Sequence, residues 1–172
     1  MRPRLQRPNY VGENVPQVGD LVFSHSSHVM ARAIRLGERL RGKRGTFFNH
    51  ACLIDRIEGD NIYILQAEPV GVTNDKLIES IGDYVIVEPP DTVDKERLMY
   101  FARQQVGLNY DWFAILSILI DILTPNWFPA FRRGNTWICS ALVAESMRFG
   151  GWYHGWQDIY IPTPAQLWVA VV

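Results

Sequence analysis

One cysteine and one histidine in this chain are placed to form a nucleophilic pair. Cys139 opens the apolar run CSALVAESMRF, Cys139 to Phe149, which reads as a helix halted by Gly150-Gly151. At a helix start, free backbone N–H groups and the helix dipole stabilise an anion. That is one way a protein lowers a thiol pKa and produces a thiolate. A thiolate mechanism also needs a base, and the base needs an orienting group. The histidines are His25, His28, His50 and His154. His50 sits in FNHACLIDRI, otherwise largely apolar, where a histidine is either a satisfied core group or a positioned base. Gln66 lies in NIYILQAEP, flanked by Leu65 and Ala67. Its amide could hold the imidazole in one tautomer, as an asparagine does in papain-like triads. Glu68 has the same strand parity and could do so instead. The plainer alternatives are a small core cysteine, a core histidine, and two polar side chains facing solvent at a sheet edge.

These residues need elements to position them. Residues 1–18 read as an extended arm, and GDLVFS, Gly19 to Ser24, as a first strand. Met30, Ala33, Ile34, Gly37 and Leu40 recur at helical spacing and predict an amphipathic helix over 27–41, followed by a turn-rich break at 41–46. The strands around His50 and Gln66 flank Glu58-Gly59-Asp60 and form a hairpin candidate. DYVIVEP, Asp83 to Pro89, is a further strand. Asp91 or Thr92 is expected to cap a helix carrying Leu98, Phe101, Ala102 and Val106 and closed by Gly107. Trp112 to Leu123 predicts a second, buried helix. A loop leads on to Cys139, and DIYIPTPAQLWVAVV is expected to form a strand and a short docked segment. The pattern is α+β: hairpin strands in one sheet, with helices on one side.

Composition narrows the classes. The chain has 172 residues, 48% of them hydrophobic and 20% charged, which fits one globular domain and excludes disorder as the default. Its two cysteines, Cys52 and Cys139, exclude a disulfide scaffold and a four-cysteine zinc site. The formal net charge is −1, which argues against a nucleic-acid coat and gives no expectation of a specific nucleic-acid partner. Residues 1–44 carry nine Lys/Arg against three acids, a net of +6, while the remainder carries −7. That basic region is either a solvated face or a contact for an anionic partner. The start of the chain has no apolar run and is not read as a secretory signal. WFAILSILIDIL, Trp112 to Leu123, is too short to span a bilayer; the alternative to burial is an interfacial or acyl-chain-contacting helix. Cys52, two residues after His50, is expected to pack beneath the site; a three-ligand Cys52/His50/Cys139 zinc site is the weaker alternative. His25 and His28 read as loop or pocket-rim residues rather than a metal pair. The six tryptophans, all from Trp112 onward, are core or the lining of a groove for sugar rings or an acyl chain.

The ordered series GDLVF, FNHACLI, YILQAEPVGV, GLNYDW, WICSALV and IPTPAQL resembles the circularly permuted branch of the NlpC-like papain-fold cysteine peptidases. The series is similar to the YiiX-like group and, more distantly, to lecithin:retinol acyltransferase-like proteins. The likeness covers about residues 19–168, and its specific part is the order, His before Cys with a hairpin after His. It implies a single permuted papain-like domain over 1–172, without metal or organic cofactor. It further implies Cys139 as nucleophile, His50 as base, Gln66 as the polar third member, and Tyr110 as the tyrosine beside the nucleophile. Gln66 stands where Glu is usual, Asn109 where Pro is usual, and Cys52 where Gly is usual. The implied activity is a cysteine-dependent amidase, peptidase or acyltransferase. Its substrate would be a cell-wall peptide, with N-acyl amides and lipid esters next, in the cytoplasm or a virus particle. The alternative is a weak or inactive papain-like module on an anionic surface or lipid.

Overall fold

The computed structural model describes residues 9–11, 15–25, 48–123, 136–153 and 162–172. The expected helix over 27–41, the turn at 41–46, all nine basic residues of the first 44, His28, His154, most of the loop before Trp137 and the expected strand near Ile159 lie outside them. The described part is α+β. Its main sheet has six strands in the order β1 (Asn9–Val11), β6 (Tyr84–Val87), β2 (Leu21–Ser24), β3 (His50–Glu58), β4 (Asn61–Glu68) and β5 (Gly71–Leu77). Five of these strands are antiparallel neighbours, and β1 adds to the edge in parallel with β6. A two-stranded parallel ribbon pairs β7 (Asn109–Tyr110) with β8 (Thr136–Trp137). Four helices accompany the strands: α1 (Lys95–Gln104), α2 (Trp112–Leu123), α3 (Cys139–Phe149) and α4 (Pro164–Val171).

Alternation along the strands sorts side chains into two layers. Leu21, Phe23, Ala51, Leu53, Leu65 and Ala67 form one core with Leu98, Ala141, Leu142 and Met147 of the helices. Val22, Cys52, Ile54, Ile64 and Ile86 form a second, smaller core with Ile78 of a 3-10 turn, Ile78–Ile81. The sheet therefore buries both faces, the first against the described helices and the second with the 3-10 turn.

The hairpin closes at Gly59-Asp60, with Glu58 opposite Asn61 and Gly59 at a φ of 60°. A bulge interrupts the β3–β4 register between Ile54 and Arg56. The buried Asp55 at that bulge accepts from Arg103 Nε at 2.7 Å, which ties β3 to α1. The cap of α1 is Asp94, whose side chain accepts from the Arg97 N–H at 3.1 Å; neither Asp91 nor Thr92 serves. The short docked segment expected at the end is a helix. Thr163 and Gln166 form a reciprocal capping box around Pro164, an arrangement that T-P-A-Q spells out. The described side chains of the apolar helix α2 divide between core and surface. Ala114 and Ile115 face the core, while Trp112 and Leu116 are 51% and 53% exposed.

Strand β5 has no counterpart among the sequence expectations, yet it aligns the ribbon. Gly71 has a φ of 118°, and a Cβ there would lie 2.7 Å from the Leu108 carbonyl oxygen. The Val72 N–H donates to that carbonyl at 2.9 Å, and the Gly107 N–H donates to the Val72 carbonyl at 2.9 Å. Only glycine tolerates both the backbone conformation and the close approach. Gly71→Ala is expected to cost about 3 kcal/mol, read as a lower urea midpoint at unchanged m. An unchanged midpoint would show that β5 and the 107–110 segment are not locked in this way.

Candidate active site

The pairing between β3 and β4 begins at Leu53↔Leu65. Ahead of that pair, His50, Ala51 and Cys52 pair with Ser24, Phe23 and Val22 of β2, while Gln66, Ala67 and Glu68 pair with β5. The two strands splay there, and the first turn of α3 meets them. The Ala51 N–H turns to the Cys139 sulfur instead of to a neighbouring strand. Helix α3 starts at Cys139 with Ile138 as its N-cap, and no side chain occupies the cap. The Ser140 N–H also donates to the sulfur. Cys139 is 9% exposed, so the thiol is shielded but not sealed.

His50 joins the thiol to the sheet. Its Nε2 lies 2.7 Å from Gln66 Oε1. An amide oxygen can only accept, so the proton on this side belongs to Nε2. The Nδ1 lone pair is then the base available to a thiol. Gln66 is fully buried, not at a solvent-facing edge. Glu68, the other candidate orienter, is bound to Lys76 Nζ at 2.7 Å. The structure thus brings together Cys139, His50 and Gln66, with Glu68 outside the hydrogen-bonded chain.

The electrostatics match this geometry. Burial alone pushes the Cys139 thiol up. The positive charge and hydrogen bond of His50, with the N–H groups of Ala51 and Ser140, outweigh it and leave the thiol below its ordinary value. Burial likewise pushes His50 down, but the Cys139 charge and hydrogen bond, with a contribution from Cys52, hold it well above 6.5. Both shifts favour thiolate and imidazolium. As pH falls, a lowered thiol pKa keeps the thiolate populated to more acid values than a free thiol. As pH rises, a raised His50 pKa preserves the imidazolium beyond its usual limit.

Tyr110 is the fourth residue singled out in the sequence. Burial pushes its hydroxyl up, and the nearby charges of Cys139, Asp111 and Glu68 push it further. It therefore stays a neutral hydroxyl. Its backbone is fixed by pairing with Trp137 and by the next residue. The Asp111 N–H donates to the Trp137 carbonyl at 2.9 Å, and its carboxylate accepts from the Ala114 N–H and Thr136 Oγ1, each at 2.8 Å. Asp111 went unnoticed in the sequence, although an Asp just before an apolar helix is a capping signal.

Cys52 is fully buried, and its thiol hydrogen-bonds His50. Burial, the largest influence on it, pushes it up, so it remains a neutral thiol. Among the described residues no three side chains are arranged to hold a metal ion. Trp137 and Trp152 are core, and Trp168 packs edge-on to Phe23 at 5.2 Å. Trp112 sits edge-on to Tyr110, also at 5.2 Å, and is half exposed. Ser24 Oγ, Gln66 Nε2 and Ser140 Oγ are buried without a hydrogen-bond partner. Ser24 pairs with His50 and Ser140 follows Cys139, so all three orphan atoms adjoin the pair.

Removing the buried acceptor should uncouple the pair. Gln66→Leu is expected to slow alkylation of Cys139 at neutral pH by about 10–100-fold, the worth of a hydrogen bond to a charged group. Gln66→Glu, which adds a negative charge beside the imidazolium, is expected to keep or raise that rate. Stopped alkylation assays read both, and a Gln66→Leu rate equal to wild type would remove Gln66 from the site. Searches with the sequence found no matching protein family and no matching curated protein.

Proposed function

We propose that the chain is a cysteine-dependent hydrolase or acyltransferase built on a circularly permuted papain-like fold. The observation carrying this reading is the buried chain Cys139–His50–Gln66, with the sulfur at a helix start. The permuted reading is supported by chain order, because the histidine strand β3 and its hairpin precede the cysteine helix α3.

In the proposed reaction the Cys139 thiolate attacks the carbonyl carbon of an amide or ester. The carbonyl oxygen becomes an oxyanion, for which the Cys139 backbone N–H and the Tyr110 O–H are the candidate donors. The intermediate collapses as the C–N or C–O bond breaks, and the leaving group takes the Nδ1 proton of His50. A thioester remains. His50, again neutral, accepts a proton from water or from another acceptor nucleophile. That nucleophile attacks the thioester, and Cys139 departs as thiolate. Gln66 keeps the imidazole oriented through both halves. It is neutral, so it orients without adding charge.

The substrate class is proposed as a peptide, N-acyl amide or lipid ester, with a cell-wall peptide foremost from the family resemblance. One observation favours an acyl or lipid group: Trp112 and Leu116 leave an apolar strip on α2 starting two residues after Tyr110. No helix among the described residues is long and apolar enough to cross a membrane, so such contact would be interfacial.

The iodoacetamide rate against pH tests the pair. Wild type is expected to react fast at acid pH, His50→Ala to follow an ordinary thiol with a pKa near ~8.5, and Cys139→Ser to lose the reaction. On a substrate that is turned over, His50→Ala should lose about 10²–10⁴-fold in kcat, and Tyr110→Phe about 10²-fold. A wild-type rate indifferent to His50 would leave the binding-module reading in its place.

A further inference from the structure

The proposed chemistry leaves the charged pair Glu68–Lys76 unused, although it shares a sheet face with Gln66. Along β4, Leu65 and Ala67 pack into the main core, so Gln66 and Glu68 lie on the sheet's other face. Ile64, buried in the second core, is on that face too, and Lys76 of β5 is its register partner. Lys76 Nζ nevertheless reaches Glu68 Oε1 at 2.7 Å, four residues along β4 from Ile64. At about 3.3 Å per residue, the two side chains must extend toward each other and meet alongside Gln66, the residue midway. Gln66 is itself bonded to His50 at 2.7 Å, so the ammonium stands beside the group that orients the base. Gly71, the register partner of Glu68, completes the corner: it meets the Leu108 carbonyl, where the segment that carries Tyr110 begins.

This corner holds more donors than acceptors. An ammonium carries three N–H donors, and among the described residues Glu68 is the acceptor that Lys76 reaches. Gln66 Nε2 is a buried donor without an acceptor. The side chains of Lys76 and Glu68 are 34% and 23% exposed, so the pair is open to a solute. A carboxylate is acceptor-only and carries the charge that Lys76 matches. We propose that Lys76, steadied by Glu68, receives a free carboxylate of the substrate close to the bond that is broken. This rests on the reading of Cys139 and His50 as a nucleophile and base acting on an amide or ester. Within that reading, Lys76 selects N-acyl amino acids, and peptides cut next to a carboxylate-bearing residue, over neutral amides and esters. Lys76 is a specificity-determining residue, since it makes no bond to the reacting atoms. Glu68 holds the ammonium in place and competes with the substrate for it.

The test uses the full chain and two matched probes, N-hexanoylglycine and its carboxamide, which differ only in the carboxylate. Each is titrated against the rate at which iodoacetamide alkylates Cys139. N-hexanoylglycine is expected to protect wild type at about 10-fold lower concentration than the carboxamide does. Lys76→Gln should erase that preference, Lys76→Arg should retain most of it, and Glu68→Gln, which removes the competing carboxylate, should widen it. Lys76→Gln and Glu68→Gln break the same ion pair but move the preference in opposite directions, so a folding defect cannot imitate the result. Protection by neither probe, equal protection by both, or a preference that survives Lys76→Gln would overturn the proposal and leave a surface ion pair only. Protection needs no turnover. A Lys76-dependent preference in a chain that hydrolyses neither probe would keep the carboxylate site and lose the hydrolase. Equal protection with both probes hydrolysed would keep the hydrolase and lose the carboxylate site.

Discussion

The hydrogen bond between His50 Nε2 and Gln66 Oε1 governs the rest of the site. An imidazole has two nitrogens, and a base is useful only if the correct one carries the lone pair. A buried amide oxygen at 2.7 Å accepts from the Nε2–H, which keeps the proton on Nε2 and leaves the Nδ1 lone pair for a thiol. Burial by itself opposes both charges of a thiolate–imidazolium pair. The pair exists because each charge is placed against the other, and because two backbone N–H groups point at the sulfur. Any change that rotates the imidazole removes the main offset to those desolvation costs.

The fold supplies this arrangement through departures from regular structure. Strands β3 and β4 pair along their outer length and separate at Leu53, which frees the Ala51 N–H for the sulfur. Helix α3 begins at the cysteine, so its unsatisfied first turn faces the same point. A close glycine contact at Gly71 and the capping carboxylate of Asp111 hold Tyr110 beside that turn. The core provides the rigid backing, as Ala51, Leu53 and Leu65 pack on Ala141 and Leu142 directly behind the site.

Much of this was legible in the sequence, because its signals are local. A cysteine at the start of an apolar run, a histidine in an apolar strand, and a Gly-Asp turn between two strands each declare themselves within a few residues. What stayed hidden depends on pairing at a distance. Gln66 and Glu68 share parity, and only the fold distinguishes them: Gln66 meets His50, while Glu68 pairs with Lys76 on β5. Strand β5, polar over much of its length, has little apolar alternation to mark it, and the two-residue strands β7 and β8 have almost no pattern at all. The second core was missed because a strand with both faces buried loses its polar alternation. The final helix was foreseen only as a short docked segment, although the capping box that starts it was in plain sight.

The most direct measurement is the protonation state and tautomer of His50, followed by long-range proton–nitrogen correlation spectra across pH. The expected result is an imidazolium that persists above the ordinary value of 6.5, giving way at higher pH to the Nε2–H tautomer. In Cys139→Ser, which removes the partner anion, His50 should titrate lower. A His50 that titrates at the ordinary value in both proteins, or whose neutral form carries its proton on Nδ1, would contradict the ion pair and the site built on it.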